Sequence, residues 1–254
     1  MRNDLRQPGF SLTEVLLAVA ILAVGMLFVG GTFVLAIHYS TLSTEQTIAA
    51  VVVEEAVAKI RLHGFEREPN SVAQTPYERL IPSLREEEFL YPSAPAMARQ
   101  YAWSALCRWA DPKTDSRLLQ VTVFVSRGAW KGVRPAPTDL DIAGSSGGSL
   151  QITADQASQL YEGSILVDGA TGSVYRVTKL DGAPSGRVDV KLNRPWQGTS
   201  QKVWVVPRPA SGGRNPCIAV YQTEVRMPDR SASSTQSATG GKPGAMAPAI
   251  KRMY

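Results

Sequence analysis

The sequence predicts an α+β protein: a long N-terminal helix packed under an antiparallel β-sheet head, with an additional small all-β unit. Three observations predict it. Residues 15–37 carry no charge, and no Gly or Pro interrupts the chain from Tyr39 to Arg61. Segments Tyr101–Trp109 and Arg117–Ser126 place apolar side chains at every second residue, the signature of half-buried strands. Residues 151–226 then offer five short strand candidates, most of them separated by turn signals such as DGATG, DGAPSG and WQGTS.

The apolar run Val15–Ile37 holds 23 residues, about 35 Å of helix at ~1.5 Å per residue. That length crosses a bilayer. A secretory signal has a shorter apolar core and a small-x-small cleavage site, and no such site closes this run. One carboxylate, Glu14, sits at its mouth. An ionised side chain in the membrane costs roughly 2.5–3.5 kcal/mol on insertion scales. A plain anchor explains the length but not this charge. The carboxylate needs a cation, and the run contains no Lys or Arg to supply one.

The helix is expected to continue past the membrane-length run. Ile48, Val52, Ala56 and Ile60 recur at four-residue intervals and form one apolar stripe. Glu45, Glu54, Lys59 and Arg61 fall largely off it. Arg61 and His63 in the last turn and Gly64 after it mark the stop. A single helix over 11–63 would be about 80 Å long, apolar all round below and amphipathic above. Gly30 and Gly31 either soften it locally or permit close helix–helix packing.

Residues 65–98 are broken by Pro69, Pro76, Pro82, Pro92 and Pro95, and EEEFLY at 86–91 reads as a solvated turn or short helix. The two long strands follow. Tyr101, Trp103, Ala105, Cys107 and Trp109 share one face, as do Leu119, Val121, Val123 and Val125. One face of this sheet is expected to cover the stripe Ile48–Ile60. Residues 127–150 are rich in Gly, Pro and Ser and read as an exposed linker. The additional β unit occupies 151–227. Its strand candidates are Ser164–Asp168, Ser173–Leu180, Arg187–Asn193, Lys202–Pro207 and a returning last strand, Ile218–Arg226. Such spacing suggests a small barrel or an extension of the sheet. The tail 228–254 is Ser, Ala, Gly and Pro-rich and reads as disordered.

Chemistry for catalysis is missing from the pattern. The chain has two His, no Cys/His cluster at zinc spacing and no H-E-x-x-H, G-x-S-x-G or phosphate-loop signature. The reading is a non-enzyme without cofactor or metal. Asp139 and Asp141 form a D-x-D that would hold Ca²⁺ only with further oxygen ligands. Cys107 and Cys217 are either a cross-strand disulfide or two free buried thiols; spacing alone does not choose. Trp130 and Trp196 sit in loops beside basic residues. They either pack on their own domain or face a ligand, stacking on bases or sugars. The net charge of +5 permits weak attraction to anionic surfaces.

Gly9, Phe10 and Glu14, followed by the uncharged run, resemble the class III signal of type IV pilins and type II secretion pseudopilins. The wording EVLLAVAILAVGML is most similar to minor pilins of the pilus-modification group and to one class of minor pseudopilin. The resemblance covers residues 1–63. It implies a leader 1–9, an assembly helix 10–37, an amphipathic continuation 38–63, and a loop with the first sheet strands over 64–126. It further implies that a membrane aspartyl peptidase cuts between Gly9 and Phe10 and methylates the new terminus at Phe10. Loss of Arg2, Asp4 and Arg6 would lower the charge balance by one, to +4. Glu14 would then pair with the terminal amine of a neighbouring subunit. Where many pilins carry a kinking proline, this chain has Gly31. The implied partners are other pilin or pseudopilin subunits, the prepilin peptidase and the inner membrane. Arg2 and Arg6 favour a cytoplasmic N-terminus, which places the head in the periplasm and then on a periplasmic or extracellular filament. The expected function is a minor pilin-like structural subunit of a type IV pilus. The alternatives are a minor pseudopilin of a type II secretion system, or a pilus-borne adhesin for DNA or a surface.

Overall fold

The structure, a computed structural model, describes residues 11–92, 100–110, 117–127, 134–182, 186–208 and 215–227. The expected leader and tail, and Phe10 between leader and helix, lie outside these residues.

Helix α1 spans Leu12–His63, 52 residues without interruption. It ends where Gly64 takes a φ of 64° and turns its N–H onto the Ile60 carbonyl at 2.9 Å. A side chain would be strained in that conformation. Only the upper half of α1 meets the head. Its buried face is Ala49, Val52, Ala56 and Ile60. The expected stripe is there with one change: Ala49 takes the fully buried place, and Ile48 packs partly buried at its margin. At 100° per residue, the 52-56-60 row continues downward through 49 as well as 48. The smaller side chain occupies the closest approach.

The segment after the helix folds over one end of the head as strand β1 (Thr75–Pro76), helix α2 (Tyr77–Leu80), a 3-10 turn (Glu86–Phe89) and strand β2 (Leu90–Tyr91). The first four residues of EEEFLY form the short helical turn, as expected, but the last two form β2, and the segment is not wholly solvated. Phe89 is buried against Tyr77 and Trp103, with ring centroids 6.4 and 4.8 Å away. Proline breaks the regular structure here without keeping the chain out of the core.

The first sheet runs β1-β3-β4-β12, with β2 also on β3; β3 is Tyr101–Trp109, β4 is Leu118–Arg127 and β12 is Cys217–Arg226. All its pairs are antiparallel. Trp103, Ala105, Cys107, Val121, Val123 and Val125 face α1 and form its core with Val52, Ala56 and Ile60. The reverse face is covered too. Leu106 and Phe124, on the side opposite α1, are fully buried. These strands were expected to be half-buried; a second β layer seals the other half.

That layer comprises β5 (Thr138–Asp141), β6 (Gly144–Ser146), β7 (Ser149–Thr153), one helical turn α3 (Ala154–Ala157), β8 (Ile165–Asp168), β9 (Val174–Gly182), β10 (Arg187–Leu192) and β11 (Lys202–Val205). Its order is β5-β11-β8-β9-β10-β7-β6. The two end strands, β5 and β6, are separated only by Ile142 and Ala143. These donate to Gln201 O at 2.7 Å and Gln151 O at 2.8 Å. The stretch 138–146 therefore pairs with β11 at one end and β7 at the other, and closes the sheet into a barrel. Leu140, Leu150, Ile152, Leu166, Tyr175, Val177, Val190, Val203 and Val205 fill it. Strands β5 and β6 and the start of β7 fall within the stretch 127–150 read above as a linker. Its Ser, Gly and Asp content conceals strands that contribute few side chains, Leu140 and Leu150 chief among them.

The barrel packs on the reverse face of the first sheet through Val167, Trp204 and Val206 against Leu106, Phe124 and Cys217. A polar seam runs beside this contact. Gln74 N donates to Gly169 O at 2.7 Å, and Gln222 Nε2 donates to Gly172 O at 3.1 Å. Gly172 has a φ of 74°, and a Cβ there would come within 2.5 Å of Gln74 Nε2.

Candidate assembly site

Ser11 begins α1. Its extended backbone (φ −77°, ψ 148°) lets its hydroxyl accept the Glu14 N–H at 3.3 Å. The Ser11 and Thr13 hydroxyls are 2.9 Å apart. Ser11-x-x-Glu14 is the spacing of a capping box, a signal present in the sequence that the reading above did not use. Glu14 thus occupies the first turn, where a carboxylate is favoured by the helix dipole. It is exposed, and among the described residues no ion pair engages it. Gly9, Phe10 and Trp130 lie outside the described residues.

From Leu12 to Leu42 every residue of the helix is exposed. Leu16, Phe28 and Phe33 are 61, 72 and 67 % exposed. This is the one described helix long and apolar enough to cross a membrane. Covering each large side chain is worth roughly 1.5–3 kcal/mol, so lipid or other helices must sheathe it. Gly25, Gly30 and Gly31 have open space where a Cβ would stand, and no contact among the described residues requires them. Just above, Thr41, Thr44 and Thr47 turn their hydroxyls back onto the Ile37, Ser40 and Ser43 carbonyls at 2.9–3.0 Å. Such bonds satisfy hydroxyls without a partner from outside the helix.

The upper half is tied to the head by charge as well as packing. Glu45 pairs with Arg127 of β4 at 2.7 Å. Lys59 reaches Glu55 and Glu88, each at 3.1 Å, and donates to the Glu88 carbonyl at 2.6 Å. The same carbonyl accepts Trp103 Nε1 at 3.1 Å. Arg134, nearly buried, pairs with Glu78 at 2.5 Å and Glu86 at 2.9 Å, with its guanidinium 4.0 Å from the centroid of the Phe89 ring. It fastens the chain entering the barrel to the loop after α1.

The remaining candidates are structural in their surroundings. Asp139 and Asp141 stand on β5 beside Lys202 of β11, at 2.7 and 3.9 Å. Lys202 holds the Asp139 carboxyl below its usual range, mainly through this hydrogen bond. Among the described residues no cluster of three or more His, Cys, Asp or Glu could hold a metal ion. Trp196 is partly buried, its ring 4.7 Å from that of Tyr175, over which the Arg194 guanidinium sits at 4.6 Å. Cys107 and Cys217 are free and buried, so the bridge left open by the sequence is not formed. Burial pushes both thiols up, that of Cys217 to about 12.

Residues 4–30 match the family model described as the prokaryotic N-terminal methylation motif. This is the prepilin signal of type IV pilins and pseudopilins. With the long apolar helix, it supports pilin- or pseudopilin-type function, processing by prepilin peptidase, assembly with other such subunits and anchoring in a membrane. No curated protein and no solved structure matches the chain.

Proposed function

We propose that the chain is a minor pilin-like structural subunit of a type IV pilus. It is cleaved between Gly9 and Phe10, methylated at Phe10 and assembled through α1. The head faces the periplasm before assembly, and the protein performs no catalysis. The observation that carries this reading is Glu14: an exposed carboxylate with no ion-pair partner among the described residues, at the mouth of a sheathless apolar helix. The cation it needs is the terminal amine of Phe10 in a neighbouring subunit. Pairing offsets the cost of taking both charges out of water. It also sets the register, because only one axial offset brings Glu14 beside the next terminus. The apolar flanks of neighbouring helices contribute dispersion and close packing.

Glu14→Gln keeps the shape and removes the charge. Filaments isolated from cells should contain roughly tenfold less of this variant, equivalent to about 1.4 kcal/mol of lost pairing. Crosslinks between neighbouring helices should fall in proportion, and membrane insertion should be unchanged. Equal crosslinking of Glu14→Gln and the native chain would show that packing alone sets the register. Co-expression with a pilus machinery or a type II secretion machinery, scoring incorporation in each, separates pilin from pseudopilin.

A further inference from the structure

Cys107 and Cys217 are the chain's two cysteines, and the first sheet holds them on opposite faces. Cys107 lies in the core under α1 with Trp103 and Val121; Cys217 lies in the barrel seam with Leu106 and Phe124. The register separates them further. On β4, the residue opposite Cys107 is Val121 and the residue opposite Cys217 is Ser126. Those positions are about 17 Å apart along the strand at ~3.4 Å per residue, and β4 itself runs between the two cysteine strands. A disulfide needs Cα atoms about 4.4–6.8 Å apart and side chains that converge.

We propose that a Cys107–Cys217 disulfide is a redox trap for the head: formed first, it excludes the native sheet, and the native sheet, formed first, excludes it. The oxidant is a small-molecule disulfide such as oxidised glutathione. One cysteine thiolate attacks it, forming a mixed disulfide and releasing one glutathione thiolate. The second cysteine thiolate then displaces the other glutathione. Two protein thiols lose two electrons in total, and one oxidant disulfide becomes two thiols. In the unfolded chain the long separation between the cysteines gives little protection, because loop-closure entropy rises only slowly with length. In the folded head both sulfurs are buried. Their thiolate fractions at neutral pH are very small, because burial disfavours the charged form. The outcome therefore depends on which comes first, folding or oxidant. That the head meets an oxidising compartment rests on the export proposed above; the steric exclusion does not.

The test uses the full chain in detergent micelles. The chain is unfolded in guanidinium with or without oxidised glutathione, and the bridged monomer is isolated by its faster non-reducing mobility. Each form is then refolded by dilution. The reduced chain should regain a protease-resistant head. The bridged chain should not regain it until dithiothreitol is added. The native chain, incubated with the same oxidant, should keep its mass and both thiols. Cys217→Ala cannot form the bridge and should refold alike with and without oxidant; Cys107→Ala is the alternative control should that variant be unstable. Refolding of the bridged chain to the same resistant head, or a bridge in the native protein, would overturn the proposal. These outcomes are read without filaments or peptidase, so failure of the pilin reading leaves them standing.

Discussion

At Glu14 one side chain meets two demands. It stands in the first turn of α1, where the N-terminal end of the helix favours a carboxylate, and it leaves that carboxylate outward for a cation. The proposed processing junction, Gly9-Phe10, immediately precedes this turn. Gly9→Leu should block cleavage if the peptidase needs a small residue there. Intact-mass measurement of membrane-extracted protein should then find residues 1–9 retained and the methyl group missing, whereas the native chain should lose the leader and gain one methyl. A second residue-scale effect appears at high pH. Burial raises the ionisation of Cys107, Cys217, Tyr77 and Tyr161 above their ordinary values, to about 12 for Cys217 and Tyr161. The folded head keeps these groups neutral, while the unfolded chain releases thiol protons from about pH 8.5 and phenol protons from about pH 10. Their contribution is full below those values and is lost as pH rises toward the folded ones. The Tm of the head should therefore fall steadily from pH 8.5 to pH 11, and less steeply in Cys217→Ala; a flat profile would show that the thiols are accessible when folded.

The elements divide by how local their signals are. α1 was legible because its pattern is unbroken, and β3 and β4 because residues alternate over nine or ten positions. The later strands, such as Arg187–Leu192 and Lys202–Val205, were legible from their turns. β5, β6 and β7 were not: they are three to five residues long, β5 and β7 depend on pairing with β11 and β10 across long stretches of chain, and β6 pairs with β7 across the short turn at Gly147-Gly148. Leu106 and Phe124, apolar on the side of the sheet away from α1, were a readable sign that something covers that side. The helix phase predicts its own perturbation. Val52 is fully buried beneath the sheet, so Val52→Asp places an unpaired carboxylate in the core and should cost more than about 4 kcal/mol. Limited proteolysis should then cut the head of this variant and spare that of Glu54→Gln, which lies on an exposed side.

As a whole, the head is one sheet with a different cover on each face: the upper half of α1 on one and a barrel on the other. The barrel is held by apolar packing around Trp204 and Val167 and by the glutamine seam. Gly172 is where the seam is tightest. Gly172→Ala adds a Cβ against Gln74 and forces an alanine to positive φ. It should cost more than about 1 kcal/mol and lower the Tm of the head while leaving the membrane helix inserted. Unchanged melting would mean that the seam yields and that the barrel is held by the apolar contact alone.

The barrel also has a single doorway. Thr138 and Val205 pair where the chain enters and leaves it, and the Arg127 N–H meets the Pro216 carbonyl at 2.8 Å where the sheet lets the chain go and takes it back. Without the intervening residues, β4 and β12 are the two arms of an ordinary hairpin that needs only a tight turn. The head can thus be regarded as a socket with a removable fitting. A different fitting of matching underside could be seated there without altering a residue that faces α1. On the function proposed above, the surface that joins a filament and the surface shown to the outside can then change independently of one another.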